Sequence, residues 1–256
     1  MRKIPIGLEL FSVRHELAAD MPGTLKAVAA MGYEGVEFFG NFTFTADEIK
    51  AALEAAGLVV CGWHTPWDAL SCENFDATVA YFKTIGNTRA IIPGLPGEMT
   101  DSIAAWLDTA AKFNAMAPKL AKEGIQLGYH NHASEFFLMD GQRPWDAFFG
   151  AVSTDIIMQL DNGNALSGGG DSIEILNMYP GRAKTVHLKP YSKEKEFATM
   201  IGQDDIDWQQ FFALCQSTGN TEWYIVEYEC EDLYTPMEGV KLCMEAICDM
   251  KGKGWL

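Results

Sequence analysis

Apolar positions along the chain fall into short runs rich in β-branched and aromatic residues. Each run is followed, after a polar loop, by a stretch in which apolar residues return every three or four positions. Ile4–Phe11, Gly35–Phe39, Leu58–Trp63, Arg89–Pro93, Ile125–His130, Ile156–Leu160, Ala183–Leu188 and Trp223–Tyr228 read as strands. The intervening segments Gly23–Met31, Ala46–Ala56, Phe75–Ile85, Thr100–Glu123, Trp145–Val152, Ser172–Met178, Asp207–Gln216 and Pro236–Met250 read as helices, with Gly57 a natural stop for the second. Eight βα units in 256 residues average 32 residues each. Regular alternation of this kind predicts a parallel sheet covered by helices, and eight units predict a closed (β/α)8 TIM barrel over an open doubly wound sheet. No strand is followed by the glycine fingerprint of a dinucleotide site, and no linker-like stretch divides the chain. Residues 1–256 therefore read as one α/β domain.

Composition narrows the choice of partner. The 19 Lys+Arg against 35 Asp+Glu give a net charge of −16, which repels phosphate backbones and argues against nucleic acid. No apolar stretch approaches membrane length, and the start of the chain lacks the apolar segment of a secretory leader. The six cysteines show no CxxC or zinc-finger spacing and read as reduced thiols, so a cytoplasmic location is expected. No patch in the sequence marks a subunit interface, and a homo-oligomer is compatible with it.

Active sites of such barrels lie at the C-terminal ends of the strands. Here those ends are rich in ionisable groups: Glu9, Glu37, His64, His130 and His132 with Glu135, Asp161 with Asn162 and Asn164, His187 with Lys189, and Glu227 with Glu229. Four of the five histidines sit there, His15 being the exception. Taken singly, each is as readily a hydrogen-bonded structural group. Together, Glu135, Asp161, His187 and Glu227 place one group on each of four successive units, at spacings of 26, 26 and 40 residues. Three carboxylates converging on one imidazole would repel one another unless a divalent cation relieved them. Such a hard, oxygen-rich set favours Mn²⁺, with Mg²⁺, Co²⁺ or Zn²⁺ as substitutes.

At these residues the chain resembles the sugar phosphate isomerase/epimerase family, the xylose isomerase-like TIM barrels, which also include inosose dehydratases, ketose 3-epimerases and endonuclease IV. The resemblance runs through Leu8–Arg14, Gly35–Glu37, Trp63–Pro66, Gly128–His132 with Glu135-Phe136, Leu160–Ala165, Val186–Lys189 and Trp223–Glu229. It implies Asp161, His187 and Glu227 as metal ligands. The family's strand-five glutamate has no counterpart on the strand, where His130 and His132 stand; Glu135 is expected to fold back as the fourth ligand, with His132 in reserve. Asn164 replaces a substrate-binding histidine of some epimerases, which implies a different hydroxyl pattern.

The resemblance further implies deprotonation α to a carbonyl of a ketose or keto-cyclitol, with Glu135 and Glu227 as the proton-transferring pair and the enediolate stabilised by the metal. Isomerisation or epimerisation is the leading expectation. Loss of water or of a glycosyl oxygen, from an inosose or a 3-keto-glycoside, is the alternative in the same site. Glu37, His64, His130, His132, Asn164 and Lys189 are expected to hold substrate hydroxyls, Lys189 being as readily an ion-pair partner of Glu227 or Glu229. A nuclease is disfavoured by the charge and by the few histidines on the early strands, and a non-catalytic sugar-binding barrel by the intact ligand set. Phe38, Phe39, Trp63, Trp67, Phe136 and Phe137 offer either a sugar-stacking wall or plain packing. Ser167–Asp171 could cradle a phosphate ahead of a helix or form a loop over the site, but no cluster of Arg or Lys accompanies the site, so a free sugar is expected.

Overall fold

Every expected strand forms, and all eight pair in parallel, in sequence order, into one closed barrel. The computed structural model describes residues 3–256; Met1 and Arg2, at the start of the stretch read for a leader, lie outside the described residues. The strands are β1 (Ile6–Glu9), β2 (Gly35–Phe39), β3 (Val59–His64), β4 (Arg89–Ile92), β5 (Gln126–His130), β6 (Ile157–Asp161), β7 (Thr185–Leu188) and β8 (Trp223–Val226). β8 closes on β1 through Ile6↔Tyr224, Gly7↔Ile225 and Leu8↔Val226. The helices are α1 (Arg14–Ala19), α2 (Met21–Ala30), α3 (Ala46–Ala56), α4 (Phe75–Ile85), α5 (Ile103–Lys122), α6 (Pro144–Ala151), α7 (Asn162–Ser167), α8 (Ser172–Met178), α9 (Trp208–Leu214) and α10 (Pro236–Gly252). Their limits follow local chemistry. Thr45 and Glu48 form a capping box at α3, which Gly57 ends in the left-handed region. The Ser102 side chain caps α5, so that helix begins after the expected Thr100. The short α1 and α7 lie outside the expected helices; Asp161 caps α7 by accepting from Asn164 N–H.

Alternation along the strands sorts residues between two cores. Outward residues such as Val36, Phe38, Tyr129, Leu160, Val186 and Tyr224 pack under the helices in one continuous apolar layer. There Tyr129 meets Trp106 and Phe113 of α5 and Phe148 of α6 at ring-centroid distances of 5.7, 6.1 and 5.1 Å. The opposite parity fills the barrel. Its lower layer is tight: a Cβ on Gly7 would lie 2.8 Å from Cys61 Sγ, and one on Gly128 would lie 2.5 Å from Ile91 Cδ1. Above this layer, toward the C-terminal ends, the inward residues turn polar. All six cysteines are free. Among the described residues no helix is long and apolar enough to cross a membrane.

A half-buried carboxyl with one buried oxygen lies away from the barrel interior. Before α9, Asp204 Oδ1 accepts from Trp208 Nε1 (2.8 Å) and Ile206 N (3.2 Å), while its Oδ2 is buried without a partner. Burial raises its pKa from 3.8 to about 7. An acid whose pKa rises on folding withholds stability as pH climbs from the unfolded to the folded value. Asp204→Asn should therefore stabilise the protein more at pH 8 than at pH 4, by a few kcal/mol at most. Urea melts at the two pH values measure this; an equal effect at both would contradict it.

Candidate active site

Above the glycine layer, inward parity brings together Glu9 from β1, Glu37 from β2, His64 from β3, His130 from β5, Gln159 and Asp161 from β6, His187 and Lys189 from and just after β7, and Glu227 just after β8. All are buried. Glu9, His64, His130, Lys189 and Glu227 line a cavity of about 520 Å³ that also reaches Phe11, Phe39, His132, Asn164, Phe197 and Glu229, while Glu37, Gln159 and His187 are hydrogen-bonded to these lining residues or to one another. A larger groove of about 1060 Å³ lies at the other end of the barrel, between α5 and the loop after α6. Its only ionisable side chains are Lys122 and Asp155, so it carries no comparable constellation.

His187 is the hub. Its Nδ1 lies 2.7 Å from Glu227 Oε2 and its Nε2 lies 2.6 Å from Glu37 Oε2. Burial alone would lower its pKa, but the two hydrogen bonds and the two carboxylate charges outweigh burial and raise it to about 10. Glu227 Oε1 accepts from Lys189 Nζ at 3.0 Å, and Lys189 also pairs closely with Glu229. Against the opposing effect of burial, Lys189 and His187 hold Glu227 well below the ordinary carboxylate range. Asp161 is the contrasting case. Its Oδ1 is used to cap α7, its Oδ2 has no partner, and burial raises it to about 8.

Gln159 sets the tautomers of two imidazoles. Its amide nitrogen donates to Glu37 Oε1 (2.9 Å) and Thr185 Oγ1 (3.1 Å), so its oxygen must accept. That oxygen lies 2.7 Å from His64 Nε2 and 3.0 Å from His130 Nδ1, which makes both of those nitrogens donors. Burial lowers the pKa of both histidines, and neighbouring imidazoles push His130 further down, so both rings are neutral. Each then presents a bare nitrogen on its other side. His130 Nε2 faces the unpartnered Asp161 Oδ2 at 3.9 Å, and His64 Nδ1 faces Glu9 Oε1 at the same distance. An acceptor facing an acceptor across 3.9 Å is a gap suited to a cation.

The structure does not bring Glu135 into this group. A 3-10 turn at Ser134–Phe136 carries it back against the outer face of β5. Its Oε1 accepts from Tyr129 Oη at 2.7 Å, and its Oε2 accepts from His132 N–H at 2.9 Å and Ser134 Oγ at 3.1 Å. Tyr129 points away from the barrel interior, and Glu135 goes with it; the carboxylate fixes the backbone of the His132 loop. His130 stands where the expected fourth ligand would be. The ring of His132 lies beside His130 with 5.2 Å between centroids, lines the cavity, and makes no hydrogen bond among the described residues.

Other expectations resolve locally. Lys189 is the ion-pair partner of both Glu227 and Glu229. Asn164 lines the cavity while its Nδ2 donates to Asn131 O at 3.2 Å. Phe38 and Trp63 stack at 5.0 Å as packing, Trp67 stacks on Phe113, and Phe136 lies on Trp145. Phe137 is exposed. Only Phe39 of the expected wall faces the cavity, joined by Phe11 and Phe197. In the glycine loop Asp171 accepts from Ile173 N and Glu174 N, so the N-terminus of α8 already holds a carboxylate. Gln159 and Asn131 had not been singled out. Asn131 joins β5 to β6 through Asp161 N–H and C=O.

Ligand atoms of His130, Asp161, His187 and Glu227 all lie within 4.8 Å of one another; so do those of Glu9, Glu37, His64 and His187, and those of the three imidazoles alone. Two carboxylates and two imidazoles, with Asp161 Oδ2 otherwise unsatisfied, fit a divalent cation. Glu37 then accepts from the distal nitrogen of a metal-binding histidine, an arrangement that fixes ring orientation. Gly62 protects this arrangement, because a Cβ there would lie 2.2 Å from Glu37 Oε1, which Gln159 holds in place. Gly62→Ala is expected to cost about 1–3 kcal/mol through overpacking. Chemical denaturation measures it, and unchanged stability would show that Glu37 can move freely.

The family model of the xylose isomerase-like TIM barrel matches residues 25–250. The inosose dehydratase of Yersinia enterocolitica is 23% identical, with 80% of this chain and 81% of that protein covered. The inosose dehydratase of Clostridium perfringens is 25% identical over the same shares, 80% and 81%. A solved sugar phosphate isomerase/epimerase from Parabacteroides distasonis superposes with a TM-score of 0.80 at 22% identity, covering 95% of this chain and 97% of that one.

Proposed function

The chain belongs to the xylose isomerase-like TIM barrels, and from that premise we propose that it is a divalent-metal-dependent enzyme that abstracts a proton α to the carbonyl of a keto-cyclitol or ketose and eliminates water. The observation that carries this reading is the buried set His130, Asp161, His187 and Glu227, whose His130 and Glu227 line a cavity of about 520 Å³, large enough for a six-carbon ring. When bound there, a divalent ion supplies Lewis acidity toward vicinal substrate oxygens and toward charge developing on the carbonyl oxygen. Two imidazoles in the set favour Mn²⁺, Co²⁺ or Zn²⁺ over Mg²⁺.

Elimination is favoured over epimerisation by what the cavity offers for proton transfer. Epimerisation needs a proton donor and an acceptor on opposite faces of the substrate. Glu135, the expected partner of Glu227, is occupied by Tyr129 and the His132 backbone, and Glu227 is held by His187 and Lys189. His132 is an unengaged imidazole at the cavity wall, the side-chain type most often used to take and return a substrate proton. One such group suffices for elimination: it takes the α-proton and returns it to the departing β-hydroxyl on the same face. Lys189 and Asn164, which line the cavity, would hold substrate oxygens, and Phe39 and Phe11 would offer an apolar wall to the ring. The names of the two curated relatives support the same outcome.

The test is product analysis. Metal-loaded protein is incubated with keto-inositols and with free ketoses, and the products are followed by NMR. A dehydrated product from a keto-inositol is expected. An epimer or aldose formed without loss of water would instead support the isomerase reading.

A further inference from the structure

We propose that Glu9, Glu37 and His64 form a second divalent-cation site on the first three strands, beside the set on strands five to eight. Glu9 is fully buried, and no hydrogen bond of ordinary geometry reaches either of its oxygens. His64, fixed by Gln159, turns its bare Nδ1 toward Glu9 Oε1 at 3.9 Å. Glu37 Oε2 lies 3.3 Å from the other nitrogen of that ring, Nε2, and one ligand atom from each of Glu9, Glu37, His64 and His187 lies within 4.8 Å of the others. The gap repeats on the other side of Gln159, where the bare His130 Nε2 faces the unpartnered Asp161 Oδ2 at 3.9 Å. One amide thus prepares two neutral imidazoles to face two unsatisfied buried carboxylates. Two carboxylates and one imidazole suit Mn²⁺ or Zn²⁺. Both Glu9 and His64 line the cavity, so an ion there would be open to a second pair of substrate oxygens. The site does not depend on the reaction assigned above.

The competing occupant is a proton shared between Glu9 and Glu37, which would need no second ion. Equilibrium dialysis of the full chain against Mn²⁺, with metal counted by mass spectrometry and the bound ions examined by electron paramagnetic resonance, separates the two. Two equivalents with a spin-coupled spectrum are expected for the wild type. Glu9→Gln and His64→Gln should each retain one uncoupled equivalent, and Asp161→Asn should lose the other ion while keeping this one. A wild type that saturates at one equivalent, lost in Asp161→Asn and retained in Glu9→Gln, overturns the second site and leaves the first standing. Two equivalents undiminished in both Glu9→Gln and His64→Gln overturn these ligands. Should one variant fail to fold by circular dichroism, the wild-type count and the other variant decide the matter.

Discussion

Asp161→Asn is expected to lower kcat/KM by about a thousandfold or more, because it removes a charged ligand from the ion on strands five to eight (~4 kcal/mol). The substitution is nearly isosteric, and asparagine caps helices as well as aspartate does, so α7 keeps its hydrogen bond to Asn164 N–H. The metal-free variant should be no less stable than the metal-free wild type, since the buried, unpartnered Oδ2 of a carboxyl raised to about 8 contributes nothing to stability. Loss of activity with an intact fold therefore separates a ligand role from a structural one. Activity within about tenfold of wild type would place the ion elsewhere.

His187→Ala should show the opposite balance, a large loss of stability even without metal. In the metal-free protein the imidazolium lies between Glu37 and Glu227, at 2.6 and 2.7 Å, and all three are buried. Removing it leaves Glu37 without its closest cationic neighbour, while Glu227 keeps Lys189 at 3.0 Å. Breaking a buried charge set in this way costs about 3–5 kcal/mol. For a domain of this size the melting temperature should fall by roughly 10 °C in chelator. A shift within about 2 °C would mean that the carboxylates take up protons or water at little cost. The comparison is made on metal-free protein, because a bound ion would obscure the electrostatics of the side chains.

Both predictions rest on features that differ in how far the sequence revealed them. Strand parity carried most of the reading. His130, Asp161 and His187 stand at inward parity in or at the end of apolar runs, and a closed barrel leaves such residues nowhere to point except the interior, where all three are buried. The same parity explains Glu135. Lying five residues past β5, it is beyond the reach of a period-two argument, and the turn at Ser134–Phe136 delivers it to outward-facing Tyr129. Gln159 escaped notice for a chemical reason. A neutral amide between Met158 and Leu160 carries no charge signal, although it shares the face of Asp161 and determines which nitrogens of His64 and His130 are free. The engagement of Lys189 by two glutamates was legible only as a choice between them, because β7 and the end of β8 bring both within reach.

The central claim is proton abstraction beside a carbonyl that depends on a divalent ion in the barrel floor. The most direct test is exchange of substrate α-hydrogen with deuterium from D₂O, followed by NMR on a keto-inositol with Mn²⁺-loaded protein and again after chelation. The account predicts exchange or elimination at the α-carbon with the metal present, abolished by chelator and by Asp161→Asn. Equal rates in all three samples would contradict it, as would no exchange or elimination with Mn²⁺, Co²⁺ or Zn²⁺ across keto-inositols and ketoses.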